Sequence, residues 1–415
     1  MLYLAAILFG LEVFLFLLAD RKIYNSIYTP VGFLGVPFVA VVTLSVLVGN
    51  RIGFVQPDVL TILIFIYGAA LFWLPGMLLS MGTVSAELKV SPFTFIRFDQ
   101  VVNRTIRLLS WLFLLIVTLG FARTYLVYGR IGSEAFSAAF AGGGLVGHCL
   151  SMMKYNAAYL FASERRVSFG TLFLFLTTLL FLMMYNVKGW VIMTLLVALV
   201  ARHLLYQSRV NVVKVVAILA LGTGIFAVSY VISLGNVDPV FLFEHFFHYL
   251  FAGVAGLSEH LRAGVETDHD FLMLFQPIRN IVYFLLGKEV VGSFSEFWVN
   301  IHLFGTRTSN VKTFFGDIIV FGGIAKGSVV VIWAGLASYA LLLFSLVKRS
   351  GIALVLYLFF AVSLALGWFA YYFNSLFYYE VVCYVFLLLL GTSLYKFLVQ
   401  KGYWRQLLTT DRESK

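Results

Sequence analysis

Long apolar runs dominate this sequence and leave few folds open to it. Many runs of about twenty apolar residues, long enough to cross a hydrocarbon core as helices, are separated by short polar connections. A chain in lipid must satisfy its own backbone hydrogen bonds, and runs this long and apolar exclude barrel strands. With 61% hydrophobic and 12% charged residues, the chain cannot cover a soluble surface. We therefore predict an all-α polytopic integral membrane protein that lies in the lipid bilayer.

The spacing of these runs predicts about eleven transmembrane helices, within a range of roughly ten to twelve. Their approximate ranges are 2–19, 31–48, 59–79, 108–127, 145–162, 169–185, 190–205, 213–234, 329–347, 352–371 and 378–398. The first eight occupy residues 1–234, the last three occupy 324–398, and a short basic tail follows at 399–415. The fifth helix is the least apolar, because it contains His148 and Lys154.

Basic residues are divided unevenly between the two sets of connections that alternate along the predicted helices. Cytoplasmic loops of membrane proteins carry an excess of lysine and arginine. The richer set contains Arg21, Lys22, Lys89, Arg97, Arg104, Arg107, Arg165, Arg166, Arg202, Arg209, Lys214, Lys348, Arg349 and Lys396. The poorer set contains Arg51, Arg130 and Lys188. We therefore predict an N-terminus outside, a C-terminus in the cytoplasm, and no nucleic-acid partner despite the net charge of +10.

A late segment, residues 235–323, is predicted to be an extracytoplasmic active-site loop with short helices of its own. It contains nine acidic and only five basic residues, as expected of a loop that is translocated to the outer side of the membrane. Residues 240–257 within it are almost as apolar as a span, and we expect a helix there at the membrane interface. Glu259 and His260 follow at the end of that helix, where a carboxylate can set the tautomer and basicity of an imidazole. The alternative is an ordinary polar helix terminus.

A small polar run from Ser309 to Asp317 precedes glycines and the ninth predicted helix. Asn310, Thr313 and Asp317 suit sugar hydroxyls, and neighbouring basic side chains suit phosphate. The alternative is a plain loop before a helix. Further cations are predicted at the same membrane face, where a charge in or near a span is a functional hypothesis. These cations are Arg123, Arg130 and Lys188, to which Arg279 and Arg307 of the late segment are added.

No metal site or cofactor is expected. Glu244, His245 and His248 share one face of the predicted interfacial helix, but a metal site needs at least three convergent ligands with supporting hydrogen bonds. Polar tips on an apolar helix are the preferred interpretation. Cys149 and Cys383 fall in apolar runs, so neither a disulfide framework nor a thiolate site is indicated.

The order of these features resembles the Wzy-type O-antigen and capsule repeat-unit polymerases. The resemblance lies in many helices, a Tyr-Leu-Phe-Ala-Gly helix at 249–253 that opens a large late loop, and the run from Ser309 to Gly327. In that family the run typically contains Asn-x-x-Thr, an acidic residue and Asp-Phe-Gly-x-x-Gly. Asn310, Thr313 and Gly323 fit this pattern, whereas the usual aspartate is absent before Phe321.

The resemblance implies a glycosyltransferase of GT-C-like architecture in the bacterial inner membrane. It would transfer a growing glycan from undecaprenyl pyrophosphate onto a new lipid-linked repeat unit, without a metal ion and with a chain-length regulator as a possible partner. The implied general base is Glu259 or His260, with Asp317 second. The implied pyrophosphate-binding residues are Arg123, Arg130, Lys188, Arg279 and Arg307. Asn310 and Thr313 would position sugar.

Two other function classes compete with this prediction. An O-antigen ligase would share the architecture and donor but would use a lipid A core acceptor. A transporter or flippase of lipid-linked oligosaccharide would be expected to show paired half-repeats and interrupted helices, and the sequence shows neither.

Overall fold

The computed structural model describes residues 1–83, 93–129, 131, 133–141, 144–185, 188–206, 224, 228, 238–264, 270–291, 297–305 and 307–400. Within them the chain forms thirteen α-helices: α1 Leu2–Tyr24, α2 Pro30–Leu47, α3 Val59–Thr83, α4 Gln100–Tyr128, α5 Glu134–Ala141, α6 Gly144–Ser163, α7 Phe169–Met184, α8 Lys188–Tyr206, α9 Pro239–Arg262, α10 Gln276–Leu285, α11 Thr313–Lys348, α12 Gly351–Ala365 and α13 Leu376–Gln400. A short antiparallel pair joins β1 Val299–Asn300 to β2 Thr308–Ser309. The all-α membrane class predicted from the sequence is thereby confirmed.

Eight of the described helices are long and apolar enough to cross a membrane. These are α1, α2, α3, α4, α8, α9, α11 and α13. Helices α7 and α12 are apolar but shorter, with 16 and 15 residues. The predicted helix at 213–234 and the tail at 399–415 lie almost entirely outside the described residues. The number eleven and the orientation in the membrane therefore stay predictions.

Two connections are shorter than the sequence predicts because helices extend into them. Helix α4 begins at Gln100 rather than near residue 108, since the Asp99 carboxylate caps it by accepting the N–H of Val101 at 2.8 Å. The connection predicted at 128–144 contains α5, whose Phe136 and Phe140 are buried against Phe121 of α4 at 5.7 and 5.6 Å between ring centroids. Burial of these aromatic side chains stabilises a helix that the glycine-rich sequence around it obscures.

The largest difference from the prediction lies at the start of α11. The expected loop ends at 323, but the chain is helical from Thr313, and every residue from Thr313 to Gly323 is buried. Gly323, with φ 61° and ψ −176°, breaks this helix into two arms, a conformation that glycine adopts readily. Phe314, Phe315 and Ile318 supply the apolar surface that draws the first arm into the bundle. Residues 313–323 of the predicted late segment therefore form a buried helical arm and not a plain loop before a helix, and the side of the membrane that they face stays a prediction.

Close helix contacts depend on a few glycines. A Cβ atom at Gly335 would lie 2.2 Å from the Phe72 carbonyl oxygen, which fixes the approach of α11 to α3. Two glycines of α9 also lie close to backbone. A Cβ atom at Gly253 would lie 2.4 Å from the Trp368 carbonyl oxygen, and one at Gly256 would lie 2.3 Å from the Val311 carbonyl oxygen. The Tyr-Leu-Phe-Ala-Gly helix thus presents a surface without side chains to two backbone segments.

Segments at the two ends of the bundle form separate sets of contacts. At one end, contacts join segments predicted to be cytoplasmic: Arg107 with Glu164, Lys396 with Asp99, Arg202 with the Phe161, Glu164 and Arg165 carbonyls, and Arg97 with Arg349 through the backbone. At the other end, the connection between α2 and α3 pairs with the late segment through Phe54 and His302. This grouping agrees with the division of basic residues read from the sequence, and the side that faces the cytoplasm stays a prediction.

We expect Gly335→Ala to destabilise the protein, because the new methyl group meets backbone that cannot move aside. Overpacking of this kind costs about 1–3 kcal/mol. The control is Gly391→Ala on α13, where no atom lies within 4 Å of the added Cβ. Thermal unfolding of the two variants in detergent will measure the difference, and an unchanged melting temperature for Gly335→Ala would contradict the described contact.

Candidate functional site

A polar cavity of about 180 Å³ lies between α6, α7, α8 and the first turns of α13. It is at the end of α6, α8 and α13 opposite to the Arg202 and Lys396 cluster. The residues that line it are Gly144, Gly147, His148, Leu150, Ser151, Lys154, Leu182, Tyr185, Trp190, Ser375, Leu376, Phe377 and Glu380. A cavity that combines a cation, an imidazole and a carboxylate within membrane helices is the arrangement expected of a functional site.

Lys154 is the buried cation of this cavity. Its side chain leaves α6, the helix whose residues from Cys149 to Ala162 are almost all buried, and Lys154 itself is 3% exposed. The ammonium lies 3.3 Å from the Trp190 ring centroid and 4.0 Å from that of Phe377. Burial disfavours the charged form of this amine, and the two aromatic faces and the nearby Glu380 carboxylate oppose that effect.

His148 and Glu380 form a carboxylate–imidazole pair at the cavity mouth. The His148 Nδ1 atom hydrogen-bonds to the Glu380 carboxylate, and the two side chains are 53% and 20% exposed. An ionised Glu380 accepts this hydrogen bond, so Nδ1 carries the proton and Nε2 presents its lone pair. Pairs of this kind orient an imidazole for proton transfer. The cavity can therefore accept a proton at one wall and stabilise negative charge at another.

An aromatic groove of about 560 Å³ lies on the other side of the first turns of α13. Its lining residues are Phe275, Val330, Trp333, Ala334, Ala337, Ser338, Phe360, Tyr371, Phe373, Tyr378, Tyr379, Val382 and Cys383. Phe373 and Tyr378 meet edge to face at 5.1 Å between centroids, and Tyr378 meets Phe360 at 5.2 Å. Rings packed in this way give the groove a preformed apolar wall.

The start of α11 holds the segment between α12 and α13, which leads into the helix that borders both the cavity and the groove. The backbone N–H groups of Thr313 and Phe314 donate to the Phe369 and Gly367 carbonyls at 3.1 and 2.6 Å. Asp317, which is 3% exposed, accepts the N–H of Tyr371 at 2.9 Å. The predicted sugar-handling run therefore hydrogen-bonds to the backbone that leads into α13.

Lys312 is a second buried cation, next to Asp317. It is 2% exposed, and its ammonium donates to the Phe297 carbonyl at 2.8 Å and lies 5.7 Å from the Phe297 ring centroid. Burial lowers the pKa of Lys312, and the Asp317 carboxylate opposes that shift. The Asp317 carboxylate also accepts a backbone hydrogen bond from Lys312. Together these contacts bind residues 312–317 to Phe297 and Tyr371.

The three residues predicted as candidate bases do not line the polar cavity or the aromatic groove. Glu259 pairs with Arg262 at 2.6 Å, a contact within one turn of α9. His260 is fully buried and meets the Phe297 ring edge to face at 6.0 Å. Asp317 is bonded to Tyr371 as described above. The structure brings His260 and Asp317 into the packing around Phe297 and Lys312, and leaves Glu259 at the helix end.

The predicted phosphate-binding cations are dispersed. Arg279 pairs with Asp270, which raises the pKa of the guanidinium, and Arg307 pairs with Glu244. Arg123 is exposed on α4, Lys188 is the first residue of α8, and Arg130 lies outside the described residues. Among the described cations of this set, Lys188 is the one on a helix that lines the polar cavity. It precedes the lining residue Trp190 by two positions.

The remaining predicted residues have mainly local contacts. Thr313 is fully buried in a left-handed conformation with φ 72°, and its hydroxyl accepts the Gly316 N–H at 3.1 Å, so it caps α11. Asn310 accepts the Lys312 ammonium at its carbonyl, at 3.5 Å. The His245 and His248 rings stack at 5.7 Å. Over the described part of the chain, no group of three or more histidine, cysteine or acidic side chains is arranged to hold a metal ion.

The sequence prediction misses His148, Lys154 and Glu380 as functional residues, although a signal for them exists. Each is a titratable residue within a predicted apolar helix, and such residues are functional hypotheses by default. The sequence does not reveal that they meet, because His148 and Glu380 are 232 residues apart.

Comparison with known proteins identifies one family. Residues 53–397 match the family described as "Family of unknown function (DUF6337)". No curated protein and no solved structure matches the chain. The matched range contains every residue of the cavity and the groove.

We expect Asp317→Ala to destabilise the fold more than Asp317→Asn. Alanine leaves the buried N–H of Tyr371 without its acceptor, at a cost of at least about 1–3 kcal/mol, whereas asparagine retains an acceptor oxygen. Melting temperatures in detergent will rank the two variants. An Asp317→Asn protein that melts like wild type but has lost all activity would instead support the predicted catalytic role of this carboxylate.

Proposed function

The chain belongs to the DUF6337 family, and we propose that it is a membrane glycosyltransferase that polymerises oligosaccharide repeat units carried on undecaprenyl pyrophosphate. The observation that carries the proposal is the polar cavity, in which the buried Lys154 ammonium and the His148–Glu380 pair converge between membrane helices. The motif resemblance of residues 309–327 to the Wzy-type polymerases supports the same function. The proposed location is the outer face of a bacterial inner membrane.

The proposed reaction requires a base and a cation on opposite sides of one carbon atom. His148 Nε2 takes the proton of the acceptor sugar hydroxyl, and Glu380 stabilises the imidazolium that results. The hydroxyl oxygen then bonds to the anomeric carbon of the donor glycan. The bond from that carbon to the pyrophosphate oxygen breaks, and undecaprenyl pyrophosphate leaves with the electron pair.

Lys154 would stabilise the negative charge that develops on the departing pyrophosphate oxygen. A fixed cation at a buried position interacts more strongly than one in solvent, because the local dielectric constant is lower. The first turn of α13, the positive end of a 25-residue helix dipole, lies against the same cavity and adds to this effect. Lys188, at the start of α8, remains a candidate for the second phosphate.

In this proposal the late segment has a supporting role. Asp317 and Thr313 fix residues 367–371 and so position the cavity wall at Ser375 to Glu380. His148 replaces Glu259, His260 and Asp317 as the proposed base, because it lines the cavity and they do not. The acceptor distinguishes a polymerase from a ligase: the first extends lipid-linked repeats, whereas the second moves finished glycan to a lipid A core.

Lys154→Met tests the proposal, because methionine keeps the side-chain volume and removes the charge. Loss of a fixed charge-stabilising group typically lowers turnover by at least about 100-fold. The matched control is Lys396→Met at the opposite end of α13, where the exposed pair with Asp99 contributes little to stability. Each variant is expressed in a strain that lacks the native gene, and surface glycan is separated by length.

Wild type and Lys396→Met are expected to give a ladder of repeat lengths, and Lys154→Met a single repeat. Equal amounts of the proteins in the membrane fraction would exclude a folding effect. A normal ladder in the strain without the gene would refute the polymerase function, and full-length glycan that fails only to reach the lipid A core would indicate a ligase.

A further inference from the structure

We propose that the aromatic groove holds the hydrocarbon tail of the same lipid whose phosphate lies in the polar cavity. The inference rests on the proposed function for the placement of a lipid phosphate near Lys154. It adds that the ligand is recognised at both ends, so that neither a water-soluble phosphate nor an uncharged lipid is sufficient. The groove would then select a polyprenyl chain over the acyl chains of bulk phospholipid.

The first argument is the position of the groove relative to the cavity. Along the first two turns of α13, one set of residues lines the polar cavity and the interleaved set lines the groove. The cavity set is Ser375, Leu376, Phe377 and Glu380, and the groove set is Tyr378, Tyr379, Val382 and Cys383. The two spaces are therefore separated by the width of a single helix, about 10 Å with side chains.

Aromatic contacts run without interruption from the cavity to the groove. Trp190, which lies over the Lys154 ammonium, meets Phe377 at 5.1 Å and Tyr378 at 6.1 Å between ring centroids. Tyr378 in turn meets Phe373 in the groove wall. The buried rings of Phe377 and Tyr378 form a rigid partition between the two spaces, so a lipid with its charge near Lys154 would reach the groove across the start of α13.

The second argument is the chemistry of the groove surface. The lining is composed of aromatic and aliphatic side chains, and two of its polar atoms are already bonded within the protein. The Ser338 hydroxyl donates to the Ala334 carbonyl at 2.7 Å, and the Tyr378 hydroxyl hydrogen-bonds to Ser363. Because most of the lining is apolar, a polar ligand or peptide would lose more hydration there than it regains in hydrogen bonds, whereas a hydrocarbon chain has no such cost.

The size and accessibility of the groove fit a long chain. Its volume of about 560 Å³ is within the range of small-molecule sites, about 300–1,000 Å³. Val382 and Cys383 are exposed, so the groove reaches the outside of the bundle, where the remainder of a long tail can enter the bilayer. Rigid rings favour a branched, unsaturated chain, whose methyl groups interlock with them better than a flexible acyl chain does.

Cys383 provides a direct readout of groove occupancy. It is one of two cysteines in the chain, and the other, Cys149, is buried at 4% exposure. The rate of Cys383 alkylation by N-ethylmaleimide is measured by mass spectrometry on purified full-length protein in detergent micelles. The added probes are undecaprenyl phosphate, undecaprenol, inorganic pyrophosphate and phosphatidylglycerol, each over a range of concentrations.

Undecaprenyl phosphate is expected to slow alkylation at least fivefold at a concentration at which the other three probes have no effect. Lys154→Met is expected to shift the protecting concentration of undecaprenyl phosphate upward by at least tenfold, and Lys396→Met to leave it unchanged. Equal protection by phosphatidylglycerol or undecaprenol, or protection by none of the probes, would overturn the inference. The alkylation readout involves no glycan transfer, so it is independent of the glycan ladder. If undecaprenyl phosphate protects Cys383 in the wild-type protein but the strain without the gene still makes a normal ladder, the proposed function is refuted and the tail site stands.

Discussion

Lys154 places an amine in a buried part of the bundle, where an unpaired positive charge is costly by several kcal/mol. Helix α6 alone cannot stabilise it. The aromatic faces of Trp190 and Phe377 and the carboxylate of Glu380 come from α8 and α13, so these three helices must meet at the ammonium. The polar cavity lies at the junction of these helices, and the groups that contact the Lys154 ammonium are also part of its lining.

A series of backbone contacts keeps α13 in place at this junction. Asp317 and the first residues of α11 bind residues 367–371, and α9 approaches the same segment through Gly253. Burial of Thr313 to Gly323 against the bundle anchors the start of α11. The motif that resembles the polymerase family therefore acts on the cavity from a distance. Its polar residues Thr313 and Asp317 accept hydrogen bonds from the backbone N–H groups of Gly316 and Tyr371.

Much of the fold was predictable from the sequence, because hydrophobic runs of about twenty residues can satisfy their backbone in lipid only as helices. The predicted helices at 2–19, 59–79 and 145–162 are all present, each with slightly different ends. Helix ends were less predictable where a local contact decides them. Asp99 extends α4 by capping it, and α5 forms because Phe136 and Phe140 find a buried surface on α4.

The site itself was not predictable, because it depends on which helices become neighbours. The polar run from Ser309 to Asp317 is prominent in the sequence, but its apolar members Phe314 and Phe315 draw it into the core. His148 and Glu380 are titratable residues in two apolar helices that are far apart in the sequence, and only the packing of α6 against α13 makes them a pair. The sequence shows that a titratable residue in an apolar helix is costly to bury, but its partners depend on which helices pack together.

A cryo-electron microscopy structure of the protein in lipid nanodiscs with an undecaprenyl-pyrophosphate-linked oligosaccharide would test the central claim most directly. The account predicts phosphate density within about 4 Å of the Lys154 ammonium, the first sugar against His148, and chain density in the aromatic groove. Phosphate bound instead at Arg279 or Arg307, with the cavity around Lys154 empty, would contradict it.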